Sequence, residues 1–127
     1  MKRFWIVVML SLLPTGLAVA QRATVGRDLY GYWKAYERVQ SERSPSAADL
    51  ADSGAYMGYV QGVSEALRDI DALSGVTTAF EIPASVPLSK VYAAVGRYLA
   101  AHPQLWGSPA TWLVMQALES AYPRAPG

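Results

Sequence analysis

The sequence predicts a small all-α domain, a bundle of about four helices. Three observations carry that expectation. Apolar residues recur at spacings of three and four through four separate segments, prolines and glycines punctuate the chain between them, and no run alternates as a half-buried strand would. None of the 127 residues is a cysteine, so no disulfide can staple the fold and helix packing must hold it.

The first helix is expected over Val25 to Gln40, with Leu29, Tyr32, Trp33, Tyr36 and Val39 on one side and Arg27, Lys34, Glu37 and Arg38 on the other. Polar residues and Pro45 break it, and a connection this short favours an antiparallel neighbour. A second helix starts at Ser46, a good N-cap, with Asp49 three residues on in a capping-box-like position. Its buried side is read as Tyr56, Tyr59, Val60, Val63, Leu67 and Ile70, and Leu73-Ser74-Gly75 ends it. Gly75 to Val86 is a linker. Pro87 suits the first position of a third helix carrying Leu88, Val91, Tyr92, Val95, Tyr98 and Leu99, which stops at His102-Pro103. Ser108 and Pro109 read as N-cap and first residue of a fourth helix with Leu113, Val114, Ala117, Leu118 and Ala121 inward. Tyr122-Pro123 ends it, and a short tail follows.

Inside the second helix, Gly54, Gly58 and Gly62 recur one turn apart and Ala66 continues the row. Each internal glycine costs about 0.8–1 kcal/mol relative to alanine. The row is therefore expected to be a helix-packing seam, within the chain or between two copies. Glu65, Arg68, Asp69 and Asp71 exclude a membrane-spanning reading of the same spacing.

Residues 1–20 read as a cleaved secretory signal. Lys2 and Arg3 open it, Phe4 to Leu13 is apolar, Pro14 and Gly16 break it, and Ala18-Val19-Ala20 supplies small residues before Gln21. Ten apolar residues fall short of the roughly 20 a membrane anchor needs, so no membrane contact is expected after cleavage. Without cysteine, lipoprotein attachment is excluded. Residues 21–127 are then expected to form one exported domain of 107 residues. Losing Lys2 and Arg3 leaves nine basic residues against ten acidic, a net charge of −1, without the basic stripe of a nucleic-acid binder.

Parts for catalysis are few. His102 is the single histidine and sits at a helix end, where capping or a dipole contact competes with any ligand role. No serine lies in a Gly-x-Ser-x-Gly elbow, and no glycine loop of the phosphate-cradling kind is present. One histidine and no cysteine leave no basis for a zinc or haem site, and no cofactor is expected. Glu65 with Asp69, and Asp49 with Asp52, are helical carboxylate pairs that read first as solvated faces. Among the aromatics, Trp106 stands in a loop beside Leu105 and Gly107. Two readings stay open: it tucks under its own domain, or it anchors a partner.

Gly58-Tyr59-Val60-Gln61-Gly62-Val63, Ala66-Leu67, Ile82-Pro83, Tyr98-Leu99, His102-Pro103, Leu113-Val114, Ala117-Leu118 and Tyr122-Pro123, in this order behind a secretory signal, resemble the Rap/Tai immunity proteins of type VI secretion. The resemblance spans about Ala47 to Pro123. It implies a periplasmic helical protein, a homodimer in its relatives, that occludes a peptidoglycan amidase effector without chemistry of its own. By position, the partner-binding residues it implies are His102, Gln104, Leu105, Trp106, Gly107 and Ser108. This chain departs from the pattern where relatives place cysteines: Tyr56, Glu81 and Arg124 stand there instead. Another reading is a periplasmic helical scaffold or assembly factor with no toxin partner.

Overall fold

The computed structural model describes residues 22–126; the predicted signal segment lies outside them. Four α-helices follow one another: α1 (Gly26–Ser41), α2 (Ala47–Ser74), α3 (Leu88–Ala101) and α4 (Ala110–Ala121), with one 3-10 turn at Pro103–Leu105. Among the described residues there is no strand, only two isolated antiparallel bridges, Val25 with Pro109 and Phe80 with Pro123. The all-α expectation holds, with each helix placed to within two residues.

Helix ends show where local chemistry was legible and where it was not. Ser46 caps α2, its hydroxyl accepting from the Asp49 N–H at 3.0 Å. The Asp49 carboxylate does not close the capping box; it accepts two bonds from Arg38, at 2.8 and 3.0 Å, and so ties the end of α1 to the start of α2. At the other end Gly75 terminates α2 with φ +69°, a left-handed conformation that glycine adopts without strain. The two prolines are corrections. Pro87 has ψ 153° and Pro109 ψ 133°, both outside the helical range, so each stands just before its helix rather than in the first position. Ser108 likewise does not cap α4 with its hydroxyl; the Ala110 N–H is satisfied by the Thr24 carbonyl at 3.0 Å.

α1 and α2 run antiparallel, with the Arg38–Asp49 pair at the turn and Tyr56 packed beside Trp33 and Tyr36. α3 runs back along α1, since Tyr92 meets Tyr36 while Gly96 meets Trp33. The core joins Leu29, Trp33 and Tyr36 to Tyr56 and Val60, to Val91, Val95 and Leu99, and to Leu113, Val114 and Leu118. Tyr56 lies at its centre, fully buried, among the rings of Trp33, Tyr36 and Tyr92 at centroid separations of 5.4, 5.5 and 6.2 Å. Its hydroxyl donates to the Tyr92 carbonyl at 2.6 Å, and burial pushes its phenol far above the ordinary tyrosine range. Thus one of the positions where the resemblance implies a cysteine holds the largest fully buried side chain among the described residues. Three residues read as inward face out instead: Ile70, Leu88 and Ala121 are exposed, each in the end turn of its helix or close to it.

The other two positions where the resemblance implies a cysteine, Glu81 and Arg124, meet each other. The linker and the tail pair at the Phe80–Pro123 bridge, with Glu81 N–H donating to Tyr122 O and Arg124 N–H to Ala79 O, both at 2.9 Å. Arg124 then reaches across the junction. Its guanidinium donates to the Asp71 carboxylate at 2.6 Å and to the carbonyls of Thr78 and Phe80 at 2.9 and 3.3 Å, and it lies 3.7 Å from Glu81. The tail expected from the sequence is therefore a clasp that fastens the end of α2, the linker and the end of α4 together. It is two-thirds buried, so these charge-assisted bonds are sheltered from screening.

The glycines sort differently from the sequence expectation. Gly54, Gly58 and Gly62 face outward, and a Cβ added at any of them would meet nothing within 4 Å. The row is not a packing seam within the chain. Close packing is found instead at Gly96, where a Cβ would lie 2.2–2.5 Å from the Trp33 ring, and at Gly26, where it would lie 2.3 Å from Leu113.

Three measurements check this account. Gly96→Ala is expected to lower unfolding free energy by about 2 kcal/mol through overpacking against a rigid ring. Gly58→Ala in the isolated protein should raise it by about 0.4–1 kcal/mol, and chemical denaturation that reverses the order of these two variants would contradict the packing. Arg124→Ala should cost about 2 kcal/mol by the same assay, from lost charge-assisted bonds and unpaired partners; an unchanged midpoint would mean the clasp contributes nothing.

Candidate partner-binding face

α3 ends at His102, whose backbone N–H bonds to Leu99 O and whose Nδ1 lies 2.7 Å from Tyr98 O. Its ring stacks on Tyr98, with centroids 4.0 Å apart and planes inclined by 25°. A carbonyl can only accept, so Nδ1 carries the proton and donates. This is a helix-end role, and it commits one ring nitrogen.

The chain then turns through Pro103–Leu105, with Leu105 N–H and Trp106 N–H closing on the carbonyls of His102 and Pro103. Trp106 is half-buried and faces its own domain. Its indole N–H donates to Leu99 O at 2.8 Å, and its ring stacks on Tyr30 with centroids 4.3 Å apart and an interplanar angle of 24°. The start of α1 holds the same loop from the other side. Gly26 N–H donates to Ser108 O, Arg27 N–H to Trp106 O and Ala110 N–H to Thr24 O, all at 3.0 Å. Gly26 permits this approach, since a Cβ there would lie 3.0 Å from the Trp106 Cα. Asp28 fixes the segment before α1, accepting from Val25 N–H at 3.0 Å and from Arg22. These contacts, the backbone bond first, hold its carboxyl below the ordinary aspartate range.

All six residues implied by the resemblance thus belong to one connection pinned at both edges. Gln104 and Gly107 are exposed with Pro103; His102, Leu105, Trp106 and Ser108 are half-buried beneath them. A turn held this firmly presents its exposed groups at little ordering cost on binding. Among the described residues no cluster of three or more His, Cys, Asp or Glu side chains could hold a metal ion. Glu65 and Asp69 are exposed on α2, and Glu65 accepts from Gln61 at 3.0 Å.

Two further surfaces escaped the sequence reading. A cleft of about 360 Å³ separates the later half of α2 from the linker, floored by Phe80, Ile82, Val86 and Val91 and walled by Arg68 and Arg124. A second hollow, about 350 Å³ and almost wholly apolar, lies between α2 and α4, lined by Val63, Ala66, Leu67, Thr111, Trp112 and Met115. Trp112 is 39% exposed there. A signal existed for it: Leu113, Val114, Ala117 and Leu118 define the inward stripe of α4, and Trp112 falls beside that stripe.

A four-helix domain that presents exposed groups on a pinned turn is built to offer a binding surface. The chain belongs to the Rap1a immunity protein family, whose sequence model matches residues 26–123. That span begins at the first residue of α1 and ends at the Pro123 bridge, so it takes in all four helices. No curated protein and no solved structure matches the chain. Membership makes this an immunity protein directed at a cognate secreted effector, a role that calls for inhibition by binding.

The two readings of Trp106 differ in what the indole N–H does. Trp106→Phe keeps the stack on Tyr30 and removes the bond to Leu99 O, so it should cost about 1 kcal/mol of stability in the protein alone. Wild-type stability in a denaturant titration would mean the N–H is free for a partner.

Proposed function

We propose that this protein works in the periplasm, after removal of residues 1–20, as the immunity partner of a peptidoglycan amidase delivered by type VI secretion. It neutralises that enzyme by occluding its substrate groove and performs no chemistry itself. The turn from His102 to Ser108 is the contact surface, with Gln104 and Gly107 outermost, and the active species is a homodimer. The observation that carries this reading is the fastening of that turn to the start of α1 in a chain whose family defines an immunity role. The signal-like residues 1–20 and the inhibitory target come from the sequence pattern and its resemblance. No helix among the described residues is long and apolar enough to cross a membrane, in keeping with a protein released after export.

The experiment pairs the protein with the secreted hydrolase encoded beside its gene. Co-expression should protect cells from that enzyme's periplasmic form and yield a co-purifying complex. Gln104→Arg combined with Gly107→Arg should weaken the complex at least tenfold, about 1.4 kcal/mol, while leaving the melting temperature unchanged. Full protection by the double variant would move the contact surface elsewhere. Failure to bind or neutralise any neighbouring cell-wall hydrolase would favour a periplasmic scaffold without a toxin partner.

A further inference from the structure

We draw no further inference here: the strongest candidate, the outward face of α2 carrying Gly54, Gly58, Gly62 and Ala66 with the apolar groove beside Trp112, is an unpartnered small-residue surface, and nothing in the structure shows what covers it.

Discussion

The close approach of α1 and α3 at Gly96 sets the geometry of the rest. Because position 96 has no Cβ, the Trp33 ring lies directly on the α3 backbone. That contact fixes how Trp33 and Tyr36 meet Tyr56 and Tyr92, and Tyr56 returns a hydrogen bond to the α3 carbonyl at Tyr92. A disulfide-free domain of this size has few ways to define one packing. Here rings locked by neighbouring rings and by a backbone bond do so. The same approach continues to the end of α3, where Trp106 bonds to Leu99 O and stacks on Tyr30 of α1. Core and candidate site are thus one continuous contact.

How much was legible follows from which information is local. Helix existence, the Ser46 cap and the Gly75 stop rest on neighbouring residues, and the sequence displays them directly. The role of a glycine does not. Gly54, Gly58 and Gly62 are conspicuous because they repeat, yet they face water; Gly96 is single, yet it carries the packing. The clue lay in phase rather than in repetition. Gly96 sits four residues from Tyr92 and beside Val95 on the buried side of α3, whereas the repeated glycines lie opposite Tyr56 and Val60.

The candidate site was legible in position and not in construction. Punctuation by His102-Pro103 and Ser108-Pro109 located the turn, but its fastening to Thr24, Gly26 and Arg27 joins segments some eighty residues apart. Backbone bonds of that kind leave no trace in side-chain pattern. Arg124 is the complementary case. It stood in a tail with no periodicity, and its clasp on Asp71, Thr78 and Phe80 depends on the return of the chain after α4. At two positions where the resemblance implies cysteines, this chain has a buried ring at Tyr56 and a sheltered guanidinium at Arg124. Both join distant segments without covalent chemistry, in a chain that has no cysteine.

The central claim is that the core extends without interruption into the turn and holds it rigid before any partner arrives. Native-state amide hydrogen exchange at Arg27 and Ala110 tests that most directly, because their N–H groups close the turn onto Trp106 O and Thr24 O. The account predicts protection approaching that of the core amides of α3, with exchange governed by near-global opening. Exchange of both amides at rates typical of a frayed terminus, while α3 stays protected, would contradict it: the turn would then be a loose loop attached to a sound core.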